Sequence, residues 1–123
     1  ITTAGLSAWG AKPAAGILMV LSRGQCGLER PARIADYLGG QSAGQCGPCA
    51  NGLPEIAAVM GRLARRDRDS SLPRRLRELG GLVTGRGACH HPDGTARMVL
   101  SALELFERDA HAHAQGLCQE TFR

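Results

Sequence analysis

Five cysteines and four histidines carry the side chains best suited to chemistry in this 123-residue sequence. Cys46 and Cys49 stand in a C-x-x-C turn within Gln45-Cys46-Gly47-Pro48-Cys49-Ala50-Asn51-Gly52. That spacing lets two thiolates face one metal or cluster, and the flanking glycines leave backbone N–H groups free to hydrogen-bond sulfur. A third thiol follows at Cys89, beside His90 and His91. Metal-bound thiols are deprotonated, and a helix beginning just after the turn would stabilise their charge. Two metal chemistries are open on these residues. One is an iron–sulfur cluster on Cys46, Cys49 and Cys89. The other is a zinc tetrahedron in which His90 or His91 completes a Cys₃His set.

The elements that position these residues read as mainly α. Glu29–Leu38 forms a first helix, with Pro31 in its opening turn and Gly39-Gly40 stopping it. A second begins near Pro54 and carries Leu53, Ile56, Ala57, Met60 and Leu63 on one face. A third follows Ser71, a predicted N-cap, with Leu72, Leu76, Leu79 and Val83 aligned. A fourth runs from Pro92–Thr95 to before Gly116, with Val99, Ala102, Leu103, Phe106 and Ala110 on its apolar face. Short connections favour a four-helix up-down bundle. Such a bundle brings the loops bearing Cys46, Cys49 and Cys89 to one end. Cys26 and Cys118 go to the other, where they read as buried thiols close enough for a disulfide. His111 and His113 read as cations favouring a helix C-terminus. Residues 1–24 read as an irregular lead-in with a short strand at Ile17–Leu21, the tail of a β domain; 25–123 hold the helical bundle. Trp9 and Tyr37 read as packing residues.

Composition bounds the rest. Aromatic residues make up only 3%, so the core is aliphatic, which suits helices better than sheets. The net charge is +4, and Lys12 is the single lysine. Arg62, Arg65, Arg66, Arg68, Arg74, Arg75 and Arg77 crowd one segment. They read as a solvated turn, or as a docking surface for an acidic redox partner. No aromatic interleaving or binding motif suggests nucleic acid. No apolar run reaches the length of a membrane span. An odd cysteine count without a secretion signal argues against a disulfide framework and for a cytoplasmic protein, associated with a membrane complex only through partners. The chain begins at Ile1, as a processed product or one piece of a longer protein would. Asp36, Glu55 and Asp93 form no acid/base pair, and no catalytic residue is evident.

Cys-Gly-Pro-Cys is also the thioredoxin active-site tetrapeptide, which gives a third reading as a thiol–disulfide oxidoreductase. In that fold the motif follows a strand and opens a helix. Here it follows a helix, and Gln45 replaces the usual Trp. Ser42-Ala43-Gly44-Gln45-Cys46-Gly47-Pro48-Cys49-Ala50-Asn51-Gly52 more closely resembles the Ser-Cys-Gly-x-Cys-x-Pro-Cys-Arg-x-Gly loop of another family. That family comprises the NADH-binding flavoprotein subunit of respiratory complex I and related hydrogenase and formate dehydrogenase subunits. Gly85-Arg86-Gly87-Ala88-Cys89 is similar to the family's Gly-Arg-x-x-Cys, which carries the last cluster ligand. The resemblance spans about residues 16–113. It implies a helical bundle holding a [4Fe–4S] cluster after a ubiquitin-like β domain, with electron transfer as its role. It also implies redox partners: other subunits, a flavin-bearing subunit or a ferredoxin. The family's first ligand falls at Ala43, which cannot bind iron. His90 or His91 is then the preferred fourth ligand, and a [3Fe–4S] cluster needing three cysteines is the alternative. No glycine-rich phosphate loop opens a helix, so the resemblance implies a cluster carrier without implying NADH oxidation by this chain.

Overall fold

The structure, a computed structural model, describes residues 2–12 and 17–118. Ile1, 13–16 and 119–123 lie outside the described residues, and with them part of the predicted lead-in. The chain is mainly helical. Its elements are α1 (Thr3–Ser7), α2 (Glu29–Gly40), a π-helical turn (Pro48–Gly52), α3 (Leu53–Ala64), α4 (Leu72–Val83), α5 (His91–Leu105) and α6 (Glu107–Ala114).

Prolines mark the entries. Pro48, Pro54, Pro73 and Pro92 occupy the first or second positions of the π-helical turn, α3, α4 and α5. There the missing N–H costs nothing, because the first-turn donors have no intrahelical partner. The apolar stripes then dictate packing. Leu53, Ile56, Met60 and Leu63 of α3, Leu72 and Leu76 of α4 and Leu103 of α5 are all fully buried. Helix α3 lies against α2, α4, α5 and α6, and α5 returns to pack on α2. Gly80 lets α4 approach α5: a Cβ there would meet the Leu100 side chain at 3.0 Å. No helix among the described residues is long and apolar enough to cross a membrane.

Several expectations are corrected. Residues 17–21 form no strand, and none occurs among the described residues. Ile17, Leu18 and Val20 are exposed; an isolated strand has no neighbour to satisfy its ladder. The predicted irregular start includes α1, which Thr2 caps by accepting the Gly5 N–H at 3.1 Å. The Gly39-Gly40 stop is too early, since α2 runs through Gly40. Ser71 precedes α4 but its hydroxyl does not cap it. Instead Asp69 accepts from both the Ser71 N–H and the Ser71 O–H. The single fourth helix is two, broken at Phe106 (φ −109°, ψ 35°). Its ring lies over Gly27, where any Cβ would fall 2.4 Å from it. Trp9 and Tyr37 are exposed rather than packed.

The burial pattern separates two leucines of α4. Replacing fully buried Leu76 with Ala should cost about 2–5 kcal/mol in denaturant unfolding, from lost transfer energy and a residual cavity. Leu82, more than half exposed, should change stability by less than about 0.5 kcal/mol when replaced in the same way. Equal losses would mean that α4 faces the core differently.

Candidate functional site

The C-x-x-C segment fills the gap between the end of α2 and the start of α3. Gly44 turns the chain with φ +65°, a left-handed conformation that favours glycine. The Ala50 N–H then donates to the Cys46 carbonyl at 2.8 Å. The Leu53 N–H reaches back five residues to the Pro48 carbonyl, closing the wide π-helical turn. Such turns recur at functional sites. Gly52 sits hard against α4, where a Cβ would fall 2.5 Å from Val83 Cγ2.

Cys46 is half-buried and Cys49 buried, and their thiols face each other. The backbone amide of Ala88, followed by that of Cys49, draws the Cys46 thiol below its ordinary pKa. Burial pushes the Cys49 thiol up; the Cys46 thiol beside it and the charge of Cys89 add to this, while the Ser42 hydroxyl opposes it. The 85–90 turn therefore meets the C-x-x-C loop, with Cys89 exposed at its tip. Two contacts shape that turn. The Gly85 N–H donates to Asp93 Oδ1 at 2.9 Å. Gly87 is packed so closely that a Cβ would fall 2.9 Å from the Cys89 carbonyl oxygen.

The two histidines differ. His91 Nε2 donates to the Leu38 carbonyl at 2.9 Å, tying the head of α5 to the tail of α2 and leaving Nδ1 uncommitted. His90 is fully exposed, with Nδ1 at 3.6 Å from Asp93 Oδ2. Ser42 is the neighbour the sequence reading did not single out; its hydroxyl lies beside Cys49.

A second group of donors lies beyond the other ends of α2 and α3. Cys26, His113 and Cys118 bring one donor atom each within 4.8 Å of one another. Cys46, Cys49 and Cys89 are not gathered to that spacing. The expectation for His113 is corrected: it lies in the last turn of α6, yet its ring is 1% exposed and faces the core. The signal was present, since Leu103, Phe106, Ala110 and His113 recur at i, i+3, i+7 and i+10.

Three carboxylates are engaged away from the cysteine loops. Glu55 pairs with Arg75, while Asp67 and Asp69 both pair with Arg62. Part of the arginine segment thus braces the turn between α3 and α4.

Residues 29–113 match the sequence profile of a family described as the NADH-ubiquinone oxidoreductase-F iron-sulfur binding region. The matched span begins with α2, contains the C-x-x-C loop and the Cys89 turn, and ends within α6.

Exposure orders the thiols. Under limiting iodoacetamide on reduced, metal-free protein, Cys89 should be alkylated well before Cys49, as read by peptide mass spectrometry. Equal rates would mean that the C-x-x-C loop does not bury Cys49.

Proposed function

The chain belongs to the family of the NADH-ubiquinone oxidoreductase-F iron-sulfur binding region, and from that premise we propose that it carries one iron–sulfur cluster on Cys46, Cys49 and Cys89. Its function is electron transfer as a domain or subunit of a larger redox assembly. The observation that carries this reading is the meeting of the C-x-x-C loop with the Cys89 turn, both inside the matched span. The donor set fits. Three soft thiolates suit iron–sulfur chemistry. When bound, such a group supplies a one-electron couple whose potential depends on hydrogen bonds to sulfur and on exposure.

The chain's own residues set those conditions. The amides of Ala88 and Cys49 stabilise thiolate charge at Cys46. Exposed Cys89 marks the edge through which a partner would approach. The preferred type is [4Fe–4S], with His90 or His91 as fourth ligand in place of Ala43. His90 is the freer ring, whereas His91 would bind through Nδ1 while its Nε2–H holds Leu38. A [3Fe–4S] cluster needs neither. In this reading an up-down bundle would hold the site at one end, and the arginine-rich turn at the other end would anchor or steer a partner. Partners are a flavin- or cluster-bearing subunit, or a ferredoxin.

A dithiol reading draws on the lowered Cys46 thiol beside buried Cys49. One experiment separates the readings: iron, zinc and labile sulfide content of anaerobically purified protein, with EPR spectra before and after dithionite. About three or four irons per chain with a cluster signal is expected. Cys46→Ser, Cys49→Ser or Cys89→Ser should each abolish or sharply reduce it. A His90→Ala/His91→Ala double variant should convert a four-iron spectrum to a three-iron one. Zinc without iron at these cysteines would overturn the proposal, and metal-free protein that reduces disulfides would establish the dithiol reading instead.

A further inference from the structure

Cys26 precedes α2, His113 closes α6 and Cys118 follows it. We propose that these three side chains form a binding site for a single zinc-class divalent cation, independent of the Cys46, Cys49 and Cys89 loop. Helix α3, 12 residues long, separates the two places by roughly 18 Å.

The spacing is that of a mononuclear site. The three donor atoms lie within 4.8 Å of one another, and His113 Nε2 is 3.5 Å from Cys26 Sγ. With Zn–S near 2.3 Å, two thiolates on one tetrahedral ion stand about 3.8 Å apart, so only a small contraction is needed. The imidazole is already oriented. Its Nδ1–H donates to the Leu63 carbonyl at 3.0 Å, which leaves Nε2 as the lone-pair nitrogen facing the sulfurs. Metal-bound histidines are held in this way, by a backbone carbonyl on the far nitrogen. The ring is 1% exposed, so this pose is fixed by the end of α3 before any ion arrives.

Chemistry narrows the occupant. Two thiolates and an imidazole are soft and borderline donors, which select zinc over magnesium or calcium. Binding forms two metal–sulfur bonds and one metal–nitrogen bond and releases two thiol protons; nothing is oxidised or reduced. The two thiolate charges cancel the charge of the cation, so the loaded unit is neutral, as its buried setting requires. Burial pushes the Cys26 thiol above its ordinary pKa, and the backbone amides of Leu28 and Glu29, which face its sulfur at the start of α2, offset part of that rise. The three side chains also line a groove of about 1310 Å³ together with Glu29, Arg33 and Asp36. Water or a small ligand from that groove completes the fourth position.

The test is zinc content beside iron content, on wild type and on a Cys46→Ser/Cys49→Ser/Cys89→Ser variant, both purified anaerobically. About one zinc per chain should remain in that variant and fall at least tenfold on adding Cys118→Ser. Cobalt(II) added to the zinc-stripped triple variant should give intense tetrahedral visible bands and a thiolate charge-transfer band. Cluster-loaded wild type serves where the triple variant fails to fold: one zinc alongside the irons is expected. Two zincs in wild type and one in the variant would support this site while removing the cluster reading. Zinc in wild type but none in a folded variant, a weak octahedral cobalt spectrum, or a Cys26–Cys118 disulfide in anaerobically purified protein would each overturn it.

Discussion

Leu53, Ile56, Met60 and Leu63 are completely withdrawn from solvent, and through them α3 packs against four other helices. Each such side chain contributes about 1.5–3 kcal/mol by leaving water, in a chain whose few aromatics leave aliphatic burial as the main source of stability. The same stripe does positional work. The N-terminus of α3 continues directly from the turn that carries Cys49, and its last turn offers the Leu63 carbonyl that orients His113. One buried helix thus fixes the geometry at both ends of the molecule, and a shift along its axis would disturb both.

Much of this was legible in the sequence because it depends on periodicity. The stripes of α3 and α4 are buried almost as their spacing implies, with only Ala57 and Leu79 partly exposed. First-turn prolines located the entries of α3 and α5. What escaped depends on contacts that periodicity does not encode. Ser71 has the chemistry of a cap, but Asp69 takes its hydroxyl, so the local rule gave way to a neighbour two residues back. The helix break at Phe106 coincides with its ring lying over Gly27, 79 positions away, and no local pattern announces it. Ile17–Leu21 is apolar enough for a strand, yet an apolar run becomes one only when a neighbour pairs with it.

The candidate site was read from motif spacing, and its environment could not be. That Cys46 and Cys49 lie close together follows from C-x-x-C alone. That an amide from the second loop faces Cys46, that Ser42 lies beside Cys49, and that His91 is held by α2 while His90 stands in water all require the fold. The cation site proposed at Cys26, His113 and Cys118 hinges on one rotation. His111 and His113 look alike in sequence, but two residues along a helix turn the side chain by about 200°, placing one in solvent and the other in the core.

The turn at Pro48–Gly52 has a consequence of phase. Each residue of an α-helix advances the side-chain direction by about 100°, and a wider turn advances it by less. The π-helical turn therefore sets the angle between the Cys49 thiol and the buried face of α3, as an offset ground into a key. A chain with one residue fewer there could close an ordinary α-helical turn, and it would aim Cys49, itself part of the buried core, elsewhere. The register of a five-residue segment bears on whether the two cysteine loops meet.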